Sequence, residues 1–102
     1  MKGIFAARAL SRELELAKTC DMFPEQYDVL YKSKQVGYAR LRNGVFQVEC
    51  PNCGGELVYM SKTINPDAGT FDDDSERKMN LYWAKLAISW WLLDNLAPEV
   101  IG

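Results

Sequence analysis

The chain contains no histidine. That absence removes the Ser-His and Cys-His nucleophile pairs, the most frequent general base near neutral pH, and every metal site built on imidazole. Long apolar runs are also missing. The longest block, 88–93, is broken by Ser89 and falls well short of the ~18 residues that cross a bilayer as a helix, so no membrane span is expected. No charge of one sign dominates: 12 Lys and Arg stand against 14 Asp and Glu, for a formal net charge of −2. A field that small gives no general affinity for a polyphosphate backbone, and nucleic acid is not an expected partner. Cysteine is sparse and odd in number, three in all. A disulfide scaffold would be denser and even, so the reducing cytoplasm is the expected compartment. The N-terminal segment has neither the continuous apolar stretch nor the cleavage site of a secretory signal, and Glu13, Glu15 and Asp21 argue against a transit peptide. There is no Gly-rich phosphate loop, no nucleophile elbow and no obvious pair of carboxylates. Neither catalysis nor a cofactor is expected.

What is present is the composition of one soluble globular domain: 102 residues, 48% apolar and 25% charged. Three structured regions separate along it. Residues 4–20 read as an amphipathic helix, because Ala6, Ala9, Leu10, Leu14, Ala17 and Cys20 cluster on one side at 100° per residue while Arg8, Arg12, Glu15 and Thr19 fall opposite. Met22-Phe23-Pro24 is expected to end it.

Residues 26–61 read as an antiparallel sheet. Asn43-Gly44 between alternating residues is a strong hairpin signal, since a type I′ turn needs positive φ at both central positions. A two-residue loop there pairs Arg42 with Val45, Leu41 with Phe46, Arg40 with Gln47, Ala39 with Val48, Tyr38 with Glu49 and Gly37 with Cys50. One face then holds Leu41, Phe46, Ala39, Val48 and Cys50; the other holds Arg42, Arg40, Gln47, Tyr38 and Glu49. An upstream strand over 27–32, joined through Ser33-Lys34, places Leu30 on the apolar face and Tyr27, Val29, Tyr31 and Val36 with Tyr38 and Arg40. A further strand covers 56–61.

After a turn-rich loop over 62–72, residues 74–96 read as a long helix. Asp73 and Glu76 have capping-box spacing, and acidic residues suit the helix N-terminus. Asn95 and Pro98 supply the stop. Met79, Tyr82, Trp83, Leu86, Trp90, Leu93 and Ala97 make one stripe; Leu81, Ala84, Ile88, Trp91, Leu92 and Leu96 make another. Adjacent Trp90 and Trp91 point 100° apart, so they cannot enter one core through the same stripe. Trp91 is expected to meet the N-terminal helix or another molecule.

Two motifs invite chemistry. Cys50-x-x-Cys53 before a glycine pair is one zinc-ribbon knuckle, and a closed structural site needs a second one or two histidines. The hairpin parity points Cys50 inward, where a free thiol behaves as a small hydrophobe. The 65–76 segment spaces oxygen-bearing residues somewhat like a calcium loop, but Thr70 stands where the sharp turn needs glycine. A helix cap explains it as well.

The expected fold is α+β: a single domain over 1–102, with a three- to four-stranded antiparallel meander packed on a long C-terminal helix, plus the N-terminal amphipathic helix. The expected role is a small non-catalytic interaction module, adaptor- or inhibitor-like, whose partner is another protein or a second copy in a homodimer. Its expected surface combines Trp91, Ile88 and Leu92 with Tyr38, Arg40 and Arg42. The alternatives are a zinc module through Cys50 and Cys53, and a weak single-stranded nucleic-acid binder through the Tyr and Arg sheet face.

Overall fold

The computed structural model describes residues 3–20 and 24–95. Asp21, Met22 and Phe23, and at the other end Leu96, Ala97 and Pro98, lie outside the described residues. The elements run α1 (Ile4–Ser11), β1 (Leu14–Lys18), β2 (Glu25–Tyr31), β3 (Lys34–Arg42), β4 (Val45–Cys50), β5 (Glu56–Lys62) and α2 (Asp74–Asn95). The five strands form one antiparallel sheet in the order β1-β2-β3-β4-β5. Consecutive pairing of neighbours is the simplest way to satisfy every ladder with short connections. α2 packs across one face of the sheet against β3, β4 and β5, and α1 lies along α2.

The first correction concerns the N-terminal segment. The helix stops at Ser11, whose hydroxyl donates back to the Arg8 carbonyl at 2.8 Å, and a turn closes with Glu13 N–H donating to the Leu10 carbonyl at 2.9 Å. From Leu14 the chain is a fifth strand, paired with β2 from Leu14 opposite Tyr31 to Lys18 opposite Tyr27. Leu14 and Leu16 lean inward while Glu15 and Ala17 are exposed, a period of two. An isolated helix of this length is marginal in water, and pairing with an adjacent strand outcompetes its propensity. The buried helical residues are Ala7, Leu10 and Ser11; Ala6 and Ala9 are exposed.

The β3–β4 hairpin is as the Asn-Gly turn requires. Asn43 and Gly44 have φ of 51° and 73°, and the five pairs from Arg42 opposite Val45 to Tyr38 opposite Glu49 form. Leu41, Ala39, Phe46, Val48 and Cys50 all have 0% exposure. Gly44 also receives the 63–73 loop: its N–H donates to the Ala68 carbonyl at 2.8 Å, and its carbonyl accepts from the Thr63 N–H at 2.8 Å. A β-carbon there would lie 2.4 Å from the Pro66 carbonyl oxygen.

The β2–β3 register is the second correction. Its turn sits at Lys32-Ser33, both at positive φ (50° and 67°), so Tyr31 faces Lys34. A bulge then shifts the ladder, and Val29 faces Gly37 and Tyr27 faces Ala39. One residue of slip exchanges the faces. Tyr27, Val29, Tyr31 and Val36 are therefore buried under α2, and Leu30 lies on the outer face, half-buried.

The core joins Val29, Leu41, Phe46 and Val48 from the sheet to Ala84, Ile88 and Leu92 of α2, with Leu10 of α1 at its margin. Phe71, from the loop before α2, meets Phe46 edge-on at 5.3 Å between ring centres. At the start of α2, Asp73 caps with its carboxylate accepting the Ser75 N–H at 2.8 Å. The reciprocal half of the capping box is not made: Glu76 accepts the Ile64 N–H at 3.1 Å and so ties the loop to the helix. Asn80 pins the same end to β5, accepting from the hydroxyls of Tyr59 and Ser61.

Candidate functional site

α2 divides into three faces, and the third has no cover. Ala84, Ile88 and Leu92 meet the sheet. Leu81, Tyr82 and Lys85 turn toward α1, where with Arg8 and Arg12 they line a cleft. The remaining side carries Met79, Trp83 and Trp90, which are 62%, 44% and 44% exposed, with Leu86 buried between them and Tyr82, 48% exposed, at the border. Positions 79, 83, 86 and 90 are spaced four, three and four, so at 100° per residue they fall within about 60° of one another. The Tyr82 and Trp83 rings touch edge to face, with centres 5.2 Å apart.

The two tryptophans thus exchange the places expected of them. Trp91 is half-buried against the core, and its indole N–H donates to Glu56 on β5 at 3.2 Å. Trp90 is the exposed member of the pair. Beside it a groove of about 520 Å³ runs between α2 and β5, lined by Leu57, Val58 and Ala87 as well as the two indoles. Ile88 and Leu92 sit at 0% and 1% exposure in the core, so they present no surface on the single chain.

Tyr38, Arg40 and Arg42 share the outer face of β3, away from the α2 stripe. Tyr38 is half-buried and its hydroxyl donates to Gln26 on β2 at 2.8 Å; burial holds its pKa above the ordinary value, with nearby Cys53 and Glu49 adding to the shift. Arg42 is exposed. Tyr27 and Tyr31 are on the opposite face, so the sheet does not assemble the aromatic series that stacked bases would use.

The cysteine pair splits. Cys50 is fully buried, and burial, with a smaller contribution from Glu56, pushes its thiol up to about 12. Cys53 is exposed in the following turn. That turn is fastened by the Gly54 N–H donating to Glu49 at 3.1 Å and the Gly55 N–H donating to the Asn52 carbonyl at 3.0 Å. One ion could not take both thiols unless Cys50 left the core. Among the described residues, no three Cys, Asp or Glu side chains converge as metal ligands. The oxygens of the 65–76 segment are engaged locally: Asn65 accepts the Asp67 N–H at 3.0 Å and donates to Asp72 at 3.2 Å.

A polar cluster that the sequence reading did not single out lies at the start of β2. Glu25 has 0% exposure, yet it is fully partnered. It accepts from Arg77 of α2 (Nε 2.8 Å, Nη2 3.2 Å), from the Phe71 N–H at 3.1 Å and from the Tyr27 hydroxyl. Burial alone would push its carboxyl up. The hydrogen bonds from Arg77, Tyr27 and Phe71 together outweigh that and hold it below its ordinary value. The same surroundings raise Tyr27 and Arg77. The signal was the phase of the strand, in which Glu25 alternates with buried Tyr27, Val29 and Tyr31. The Glu25 carboxylate itself is closed off from solvent and its oxygens are taken by these donors, while Arg77 reaches the surface, and the cluster ties β2, the loop and α2 into one unit.

Comparisons of the chain with protein-family models, with curated proteins and with solved structures find no match. Among the described residues, no helix is long and apolar enough to cross a membrane.

Proposed function

We propose that this protein is a small non-catalytic interaction module that works as a homodimer through the uncovered face of α2. The observation that carries the reading is the exposed row Met79, Trp83 and Trp90, which with buried Leu86 beneath it keeps a 3.5-residue repeat along a helix whose other two faces meet the sheet and α1. A repeat of that period is the pattern by which one helix seats against an identical one. Large aromatic side chains, tryptophan above all, supply most of the energy at such contacts. A two-fold arrangement uses the same patch on both copies and closes at two, which suits an isolated patch of this size. Cover from a second chain would remove from water three large side chains that the monomer leaves out. The zinc and nucleic-acid readings draw no comparable support, since their residues are divided between core and surface or between the two faces of the sheet.

The test is sedimentation equilibrium across a hundredfold range of concentration. The wild type should follow a monomer–dimer scheme. Trp83→Glu and Trp90→Glu should sediment as monomers with unchanged circular dichroism, because both side chains are exposed in the single chain. A wild type that remains monomeric throughout would remove the proposal.

A further inference from the structure

The cleft between α1 and α2 has a character that the dimer reading does not use. It encloses about 350 Å³. Leu16 of β1, Leu81 and the Tyr82 ring give it an apolar lining, and Arg8, Arg12, Lys78 and Lys85 stand around it. No acidic residue lines it, although acidic residues outnumber basic ones in the chain as a whole. Of the four cations, only Lys78 has a carboxylate partner among the described residues, the exposed Asp74 at 3.2 Å. Local structure sets the spacing. Arg8 and Arg12 lie one helical turn apart, while Lys78, Leu81, Tyr82 and Lys85 follow the i, i+3, i+4, i+7 pattern of one face. Lys78 and Lys85 are therefore separated by about 10 Å along the α2 axis.

That separation decides between ligand classes. A single phosphate or carboxylate cannot meet cations spread over two turns. The cations also sit on long, mobile stems, without the fork of backbone N–H groups that usually grips one phosphate. A ligand carrying several negative charges along its length, with apolar groups between them, matches both the spread and the lining. We infer that the α1–α2 cleft docks an acidic, apolar-interrupted peptide segment of a partner protein. Apolar side chains of the segment enter against Leu16, Leu81 and Tyr82, and its carboxylates meet Arg8, Arg12, Lys78 and Lys85. Nucleic acid fits less well, because the cleft offers one aromatic ring where successive bases need several. The cleft and the proposed dimer stripe meet at Tyr82, whose ring touches Trp83, but the stripe uses none of the four cations, so charge variants test the cleft apart from the dimer.

The experiment uses the full chain and a fluorescent peptide of about twelve residues alternating Asp with Leu and Phe, followed by anisotropy. The peptide should bind, weaken at least tenfold when NaCl rises from 50 to 300 mM, and weaken at least tenfold in the double variant Arg8→Glu, Lys85→Glu. Lys62→Glu, an exposed change on β5 far from the cleft, should leave binding within twofold, and a Lys-for-Asp version of the peptide should not bind. Sedimentation of the double variant should match wild type, which separates loss of the cleft from loss of the dimer. Three results would overturn the inference: no binding of the acidic peptide, equal binding by the double variant, or tighter binding of a single-stranded oligonucleotide or of inorganic phosphate.

Discussion

The Glu25 carboxylate, wholly removed from solvent, is held by the Arg77 guanidinium at 2.8 Å and 3.2 Å across 52 positions of sequence. Arg77 also donates to the Phe71 carbonyl at 3.1 Å. The pair therefore locks the beginning of β2 to the first turns of α2 through the intervening loop. A buried ion pair of this kind adds little over a well-packed apolar pair, but removing one member leaves the other uncompensated. Arg77→Met should destabilise the protein by about 3–5 kcal/mol, the range found for broken buried pairs. Urea denaturation followed by tryptophan fluorescence gives the value. The double variant Glu25→Leu, Arg77→Met should lose clearly less than the sum of the two single changes; a strictly additive result would mean the pair is not coupled.

The same cluster sets the response to pH. The folded protein holds the Glu25 carboxyl below its ordinary 4.5, so folding favours the ionised form. That contribution is complete above about pH 4.5 and is lost as the pH falls through the lower, folded value. Tyr27 and Cys50 behave oppositely. Burial, joined by the Glu25 charge at Tyr27 and by Glu56 at Cys50, raises both above their ordinary 10.0 and 9.0. Their contributions are complete below those values and decline as the pH rises, with the Cys50 contribution spent by its folded value of about 12. Melting temperature should thus be level from about pH 6 to 8 and fall on either side. Tyr27→Phe should flatten the alkaline limb, and an unchanged limb in that variant would assign the alkaline loss elsewhere.

How far the sequence reached depends on whether each feature is decided locally. The Asn43-Gly44 hairpin is: two residues suited to positive φ set the turn, and the alternation on either side sets the faces, including the inward Cys50. The long C-terminal helix is likewise written in its cap and its periodicity. β1 is not. Leu10 and Leu14 satisfy a helical spacing, Leu14 and Leu16 a strand spacing, and only the presence of β2 beside them decides the matter. The face of β2 failed for a smaller reason: the turn one position earlier moves the pairing by two and keeps the faces, but the bulge after it adds one residue and exchanges them. For the candidate surface, periodicity showed that Trp90 and Trp91 must part. Which one is covered depends on how α2 rolls between β5 and α1, and that roll is fixed by Ala84 and Ile88 against the sheet. Ile88 comes so close that a β-carbon on Gly37 would lie 2.6 Å from its δ-methyl.

The Lys32-Ser33 turn carries a removable cost. Both residues adopt left-handed φ, where a β-carbon costs roughly 1–2 kcal/mol per residue and glycine or asparagine much less. Both are exposed, and the one contact the change removes is the Lys32 ammonium over the Tyr31 ring, 5.2 Å from its centre. Replacing them by Asn and Gly, the pair that the protein already uses at 43–44, should stabilise the fold by about 1 kcal/mol, part of the gain being offset by the added freedom of glycine in the unfolded chain. Thermal melts of Lys32→Asn, Ser33→Gly against wild type measure it. Loss of stability instead would show that the turn is not of the type its dihedral angles describe.

The two thiols of the Cys-x-x-Cys turn should separate completely under a thiol reagent. Cys50 is shielded at 0% exposure, and with its thiol pushed up to about 12 it holds almost no thiolate near neutrality. The thiolate is the reactive species, so both factors act in the same direction. Cys53 is exposed in a turn that needs no change of shape to admit a reagent. In a variant with Cys20→Ser, a disulfide-exchange reagent at pH 8 should modify one equivalent of thiol rapidly, and mass spectrometry should place the label on Cys53. The second equivalent should appear only at the rate of opening of the core, and should become fast in urea beyond the unfolding midpoint. Divalent zinc added beforehand should leave the first rate nearly unchanged. If zinc protected Cys53 at stoichiometric concentration, the Cys50 thiol would have to reach solvent readily, and the inward placement that anchors β4 beneath α2 would not describe the protein in solution.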